Sequence, residues 1–249
     1  FFLLLLYIVM PKILKVNDPS DSFHKEMPYF DLPFKLLLNG KSQLSGKSSV
    51  LLNLLLQPEF GYDKEFKGKN IFIISNNKLD MKLKILAEYK NIPEDNIMEF
   101  EENNLMNLYE EIEELFLEEQ KEKNIQHRLL IFEDCGASNA LKSKQAGVIS
   151  RLVCQGRHCA TSCLFTSQRY SQVSTLVRTN LTGAILFSTS TKELDLIADD
   201  MSYLETKKQF VKLFRNITAE PRAFLVVNFT NKDGLYMDTE FQTIDTKLF

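Results

Sequence analysis

The sequence predicts an α/β fold, a three-layer sandwich in which a mostly parallel central sheet carries helices on both faces. Short, continuously apolar segments alternate along the chain with segments of helical periodicity. Continuous apolar runs are typical of parallel strands that are buried on both faces, and helices usually connect such strands. The 249 residues are 44% hydrophobic and 25% charged, with 9 Gly and 7 Pro, which excludes collagen-like, low-complexity and wholly disordered chains.

The predicted elements follow from apolar runs, helical spacing and turn residues. In the first half of the chain we expect strands over 34–39, 70–75, 97–100 and 128–134, and helices over 50–56, 79–90 and 104–123. In the second half we expect strands over 163–168, 184–189, 223–229 and, more weakly, 234–237. A helix over 142–154, a turn or short helix between the strands at 163–168 and 184–189, and one or two helices over 191–214 complete the prediction. No linker divides residues 34–249, which we interpret as one domain.

The first 33 residues are interpreted as an N-terminal arm. Residues 11–33 are polar and interrupted by prolines, which favours irregular structure. Residues 1–10 are apolar but too short for a membrane helix, which takes about 20 residues. They also lack the basic start and small-residue cleavage site of a secretory signal. We expect Met10 to be the natural start and residues 1–9 to be upstream read-through, with a membrane anchor as the alternative.

Charge is unevenly distributed along the chain. The net charge of −3 gives no whole-chain argument for nucleic-acid binding. Residues 135–192, however, contain no Asp or Glu, and their basic residues are Lys142, Lys144, Arg151, Arg157, Arg169, Arg178 and Lys192. A surface that meets phosphates would explain this stretch; chance together with burial of strands is the alternative. Residues 101–122 contain nine glutamates and are interpreted as a solvated helix.

The four cysteines are Cys135, Cys154, Cys159 and Cys163. Their spacing matches no paired metal-ligand pattern. We therefore expect buried or half-buried thiols in the core, with a metal site as the alternative, and a reducing compartment.

A candidate phosphate-binding loop follows the first predicted strand. Gly46, Lys47 and Ser48 lie between an apolar strand and an apolar helix. Such a loop needs backbone N–H groups at a helix N-terminus, a Lys for the outer phosphates and a hydroxyl for Mg²⁺. The candidate nucleotide-binding residues are Ser42, Gln43, Leu44, Ser45, Gly46, Lys47, Ser48 and Ser49. The loop departs from the usual pattern because Lys41 occupies the first glycine position and Gly40 comes one place early. A fortuitous Gly-Lys-Ser turn is the alternative.

Two acids, Glu133 and Asp134, end the apolar strand at 128–134. Acids in this place lie at the carboxyl edge of a parallel sheet, beside the candidate loop. One acid can hold the Mg²⁺ hydration shell and the other can orient the attacking water. The usual order is Asp first, so which acid has which role stays open. Two acids that merely cap a strand are the alternative.

A third series of motifs carries a family resemblance. Gly156-Arg157-His158 precedes a strand that ends in Gln168, and Arg178-Thr179-Asn180 precedes the next strand. With the loop and the acid pair, this order resembles the FtsK/HerA superfamily of DNA-pumping ATPases. It is most similar to the poxvirus-type genome-packaging ATPases of large DNA viruses, virophages and Polinton-like elements. The resemblance spans about residues 34–200.

The resemblance implies a P-loop NTPase fold of the RecA/FtsK type and a role for each matching residue. Lys47 and Ser48 would bind the phosphates and Mg²⁺, with Glu133 as the second metal residue and Asp134 beside the water. Gln168 would sense the γ-phosphate. Either Arg157 or Arg178 would reach a neighbouring subunit's nucleotide, or contact DNA instead. His158 fits the family pattern, and a structural histidine is the alternative for it.

The function implied is ATP-driven translocation of double-stranded DNA to package a viral genome, with ATP and Mg²⁺ as cofactors. The implied partners are double-stranded DNA bound without sequence preference, further copies of the chain in a ring, expected to be a hexamer, and capsid or portal vertex proteins. No stable membrane span is expected. We expect a location in the host cytoplasm or a virus factory, with virion association as an option. The alternatives are a catalytically silent P-loop subunit that binds DNA or has a structural role, and a P-loop kinase.

Overall fold

The computed structural model describes residues 23–41, 45–76, 81–134, 146–231 and 234–249, and within these ranges eight strands form one sheet. The strands are β1 Lys35–Asn39, β2 Ile71–Ser75, β3 Ile97–Met98, β4 Arg128–Glu133, β5 Thr161–Ser167, β6 Gly183–Phe187, β7 Phe224–Asn228 and β8 Tyr236–Met237. Their order across the sheet is β3-β2-β4-β5-β1-β6-β7-β8. The strands from β3 to β6 in this order are parallel, and β7 and β8 are antiparallel to their neighbours. The prediction of a mostly parallel central sheet is confirmed.

Seven α-helices connect the strands in the described part of the chain. They are α1 Lys47–Leu56, α2 Met81–Lys90, α3 Glu102–Glu122, α4 Ala146–Gln155, α5 Thr175–Thr179, α6 Thr191–Met201 and α7 Lys207–Ile217. The third strand is two residues long, where four were predicted. The first four residues of the helix predicted over 142–154 lie outside the described residues.

The side chains of each central strand alternate between two cores. In β1, Leu36 and Leu38 pack with α1 and α2, whereas Leu37 faces the cluster that holds α3 to α7. Because successive strand residues point to opposite faces, a continuous apolar run supplies both cores at once. This alternation produces the three layers that the sequence predicts.

Residues 23–33 pack against the domain, although they contain no helix or strand of regular length. Phe30 and Leu32 are fully buried in the core on the α1 and α2 side. The Phe30 N–H donates to the Tyr62 hydroxyl, which in turn donates to the Phe30 carbonyl, both at 2.8 Å. The packed unit therefore begins before residue 34, and the part of the predicted arm that precedes residue 23 lies outside the described residues.

The helices and the cysteines in the described part of the chain concern the membrane, metal and thiol predictions. None of the helices found there has the length and apolar character that a bilayer crossing requires. The same ranges contain no cluster of His, Cys, Asp and Glu suited to a metal ion. Cys154, Cys159 and Cys163 are free thiols; Cys163 is buried and Cys159 half-buried as expected, but the expectation is wrong for Cys154, which is exposed because it lies on the outer face of α4. Cys135 lies outside the described residues.

Candidate active site at the carboxyl edge of the sheet

Three neighbouring strands bring the predicted site residues to one edge of the sheet. In the order β4-β5-β1 the strands are parallel, with Phe132 beside Phe165 and Asn39 beside Ser167. The segments that follow these strands therefore leave the sheet side by side. This register places the candidate phosphate loop, Gln168 and the two acids on the same edge.

The N-terminus of α1 has the local structure of an anion site. Gly46 precedes the helix with a φ of 84°, a left-handed conformation that glycine adopts without steric cost. No side chain caps the helix, and its first turn has no acidic residue. Backbone N–H groups at such a terminus favour an anion because they lack intrahelical partners.

Gly40 is required by a close approach of the chain at the end of β1. A Cβ atom at this position would lie 2.7 Å from the Phe187 Cβ and 2.8 Å from the Ser45 Cβ. The early glycine of the loop thus has a steric role in this chain, which accounts for its displacement from the usual position.

Lys47 is a buried cation, with 9% of its surface exposed. Its Nζ donates to the Gly40 carbonyl at 2.5 Å, so the side chain curls back over the loop. Burial lowers the pKa of Lys47, and the nearby carboxylates of Asp134 and Glu133 oppose that shift. The Lys47 ammonium group therefore lies close enough to both carboxylates to interact with them electrostatically.

The two acids are held by residues at the end of β5. The Thr166 hydroxyl donates to Glu133 Oε2 at 2.8 Å and accepts the Asp134 N–H at 2.9 Å. The Gln168 amide donates to Asp134 Oδ2. Lys47, Glu133, Asp134 and Gln168 thus converge at one place; their individual chemical roles stay predictions.

The remaining loop residues differ in their placement. Ser48 is half-buried at the first turn of α1. Ser49 is exposed, and its hydroxyl accepts from Lys82 Nζ at 3.1 Å. The Ser45 hydroxyl donates to the Lys41 carbonyl at 2.7 Å. Ser42, Gln43 and Leu44 lie outside the described residues.

A pocket of about 520 Å³ adjoins the loop on the side of β6. Lys41 and Ser45 form its loop wall, Phe187 at the end of β6 and the next residue, Ser188, form a second wall, and residues 218–223 supply the wall between α7 and β7. Its surface combines apolar groups with Glu220 and Arg222, which suits a ligand that has a flat apolar part and polar edges.

Arg157 and His158 lie away from the other predicted residues of this chain. They are exposed in the short turn that precedes β5, and the Arg157 Nε donates to His158 Nε2 at 3.3 Å. Because β5 begins here, this turn is at the amino edge of the sheet, opposite Lys47. The structure therefore does not bring Arg157 to the nucleotide site of its own chain.

Arg178 is engaged within its own chain. Its Nη1 donates to Asp200 Oδ2 at 2.6 Å, and its guanidinium lies 5.1 Å from the centroid of the Tyr170 ring. The Tyr170 hydroxyl donates to the same Asp200 oxygen at 2.8 Å. Burial and the neighbouring Asp200 raise the pKa of Tyr170, so the tyrosine remains a neutral donor in this cluster.

The basic residues of the 135–192 stretch do not gather on one face. Arg157 is at the amino edge, whereas Arg169 and Lys192 are exposed next to the carboxyl ends of β5 and β6. Arg151 lies over the Tyr109 ring at 5.9 Å. Lys142 and Lys144 lie outside the described residues.

Sequence reasoning gave no role to two polar residues of this edge. Asn39 is fully buried at the end of β1, and its Nδ2 donates to the Ser167 carbonyl at 3.3 Å. Thr166 is 3% exposed and contacts both acids. The available signal was a polar residue near the end of an otherwise apolar strand.

Known structures share this fold. The genome packaging NTPase B204 from Sulfolobus turreted icosahedral virus 2, in complex with ATP-gammaS, superposes with a TM-score of 0.54 at 16% identity, over 78% of this chain and 91% of that chain. The DNA-packaging ATPase B204 from Sulfolobus Turreted Icosahedral Virus gives 0.55 at 15% identity, over 80% and 94%. EssC (ATPases 2 and 3) from Geobacillus thermodenitrificans gives 0.54 at 13% identity, over 83% and 39%. At these identities the likeness establishes the fold, which is the predicted P-loop ATPase fold.

Two sequence comparisons concern the family of the chain. A search of curated proteins found no match to the chain. The family model described as Poxvirus A32 protein matches residues 22–240, which include all of the site residues described above. On this match, and with a fold that agrees, the chain belongs to the poxvirus A32 protein family.

Proposed function

We propose that this protein hydrolyses ATP and uses the energy to move double-stranded DNA into a viral capsid. The observation that carries the proposal is the convergence of Lys47, Glu133, Asp134 and Gln168 beside an uncapped helix N-terminus. Family membership and the packaging ATPases among the structures of the same fold support it.

The residues fit a nucleotide with its magnesium ion. The N-terminus of α1 and Lys47 would hold the phosphates, and the adjoining pocket of about 520 Å³ would take the base and ribose. The Ser48 hydroxyl and the Glu133 carboxylate offer the oxygen ligands that Mg²⁺ prefers. When bound, the ion neutralises charge that develops on the phosphates.

The chain's own groups would then position the reacting water. Asp134 accepts from Gln168, so a carboxylate and an amide share the space next to Lys47. A carboxylate in such a position can orient a water and accept its proton, while the amide contacts the terminal phosphate. The assignment of the water to Asp134 and of the metal to Glu133 is part of the proposal.

We further propose that subunits assemble in a ring around the DNA, as a hexamer. Met81, Ile85 and Tyr89 follow each other at intervals of four along α2 and are 68%, 47% and 68% exposed. An apolar stripe of this kind is typical of a contact surface. The helix α3 lies on the opposite face of the sheet and carries the exposed Leu117 among glutamates. The stripe on α2 has the exposed Lys84 beside it, whose charge is opposite to that of the glutamates. These two surfaces fit a head-to-tail contact between copies.

The arginines and the remaining partners complete the proposal. Arg157, exposed and outside its own site, is free to act on a neighbouring subunit or on DNA, whereas Arg178 would first have to leave Asp200.

DNA contacts would be made to phosphates, so binding would weaken steeply with salt and ignore base sequence. Capsid or portal vertex proteins would be the docking partners, in the host cytoplasm, a virus factory or the virion.

The test is ATP turnover with and without duplex DNA. We expect DNA to stimulate the wild-type rate, and Lys47→Ala and Asp134→Asn each to lower it by about 10²-fold or more, because the first removes the cation that holds the phosphates and the second removes the carboxylate that accepts the proton of the water. Asp199→Ala is the matched control, since this acid is 61% exposed and paired only at the surface. The same preparations, measured by light scattering with nucleotide and DNA, should contain a ring.

Other results would contradict the proposal in distinguishable ways. A silent P-loop subunit would have no turnover to lose. A kinase would need a second small-molecule substrate and would not respond to DNA. A monomer under every condition would refute the ring but leave the ATPase intact.

A further inference from the structure

Thr166 makes two hydrogen bonds that connect β5 to both acids of the site. The residue is 3% exposed, and its hydroxyl donates to Glu133 Oε2 at 2.8 Å while accepting the Asp134 N–H at 2.9 Å. The donor and one acceptor position of the hydroxyl are thus both used for the acids. The register of β4 and β5 explains the contact. Phe132 of β4 pairs with Phe165 of β5, and the next residues of the two strands are Glu133 and Thr166.

The backbone of Asp134 depends on this contact. Asp134 has a φ of 50°, in the left-handed region that is sparsely populated and that Asp tolerates better than most residues with a side chain. Its N–H points to the Thr166 hydroxyl, and its carboxylate accepts from the Gln168 amide. Thr166 therefore holds the backbone of Asp134, and Gln168, two positions further along the chain, holds its side chain.

We propose that Thr166 is a positioning residue for ATP hydrolysis: its hydroxyl fixes the Glu133 carboxylate and the turn at Asp134 so that both acids face Lys47. The inference rests on the proposed roles of the two acids. The branched side chain of threonine has restricted rotation, so the hydroxyl is presented in one direction.

The experiment compares Thr166→Val, which keeps the shape and removes the hydroxyl, with Thr166→Ser, which keeps the hydroxyl. We expect Thr166→Val to lower kcat by about 10- to 100-fold, the range seen when a residue that orients metal ligands is lost, with KM for ATP changed by less than about threefold. Thr166→Ser should recover kcat to within about threefold of wild type.

Thr161→Val is the matched control. Thr161 is 2% exposed at the other end of the same strand, and its hydroxyl donates to the Cys159 carbonyl at 2.9 Å. The Thr161→Val variant loses one part-buried hydrogen bond that does not involve the acids, and it should keep kcat at the wild-type value. A fall in kcat for both valine variants would mean that strand packing, not the contact with the acids, is responsible, and would overturn the proposal.

A second background separates this inference from the proposed function. In Asp134→Asn, adding Thr166→Val should lower kcat by a smaller factor than it does in the wild type, because the part of its effect that acts through the Asp134 carboxylate is already lost. Effects that multiply, a Thr166→Val enzyme with wild-type kcat, or failure of Ser to restore the rate would each overturn the role of Thr166. If Asp134→Asn itself keeps wild-type turnover, the proposed role of the acid fails, and this inference with it.

Discussion

Individual side chains in this protein have protonation states that follow from their surroundings. Lys47 combines burial, which disfavours its charge, with two carboxylates that favour it. Cys163 is the opposite case, since it is buried in β5 with its Sγ 4.0 Å from the Leu152 carbonyl oxygen of α4. Burial raises the pKa of the Cys163 thiol to about 12. Lys47 therefore belongs to the candidate site, whereas the thiol of Cys163 packs in the core.

The thiol of Cys163 makes stability depend on pH. An unfolded thiol releases its proton near pH 9, whereas the folded one holds it to about pH 12, so the free energy of unfolding should fall as pH rises between these values. Between pH 9 and 10 the contribution is about 1 kcal/mol. Denaturant unfolding of Cys163→Ala should lack this part of the decline.

The control for this measurement is Cys154→Ala, because Cys154 is exposed. Its unfolding should decline with pH as in the wild type. Burial also raises the pKa of Tyr109 and Tyr236 to about 12 and raises the pKa of the Cys159 thiol, so these groups add to the decline in all three proteins and only the difference from Cys163→Ala reports on Cys163. Equal declines in wild type and Cys163→Ala would contradict the prediction.

At the level of elements, one ion pair fixes the long acidic helix to the sheet. Arg128 begins β4 and is 1% exposed, and its Nη2 donates to Glu119 Oε1 of α3 at 2.8 Å. Glu119 Oε2 also accepts the Gln126 N–H at 3.0 Å. Most of the glutamates of α3 are exposed, as the sequence suggests, but this one has a structural partner.

Removal of Glu119 should be costly because it leaves a buried cation without its partner. We expect Glu119→Ala to lower the free energy of unfolding by about 3 kcal/mol. Asp199→Ala, which breaks the exposed pair with Lys207, should cost less than about 1 kcal/mol. Denaturant titration of the two variants provides the comparison, and equal losses would refute the interpretation.

At the level of the whole molecule, the sequence predicts the elements better than their arrangement. The strands were predictable because they are continuously apolar, and the motif order indicated which strand ends carry the site. The position of β5 between β1 and β4 follows from long-range pairing, which no local pattern encodes.

The same limit applies to contacts made far along the chain. The pairing of Arg178 with Asp200, 22 residues away, left no local signal. The burial of Phe30 and Leu32 was missed because the surrounding prolines and polar residues favour an irregular arm. Thr166 was missed because a lone threonine in a strand is ordinary until its neighbour on the next strand is known.

The most direct test of a single nucleotide site is an experimental structure of the protein with Mg²⁺ and ATPγS. We expect the triphosphate to lie on the N-terminus of α1, with Lys47 Nζ on its outer phosphates, Gln168 and Asp134 beside the γ-phosphate, and the nucleoside next to Phe187. A nucleotide bound elsewhere, or a Lys47 that still donates only to the Gly40 and Lys41 carbonyls while the nucleotide is present, would contradict this expectation.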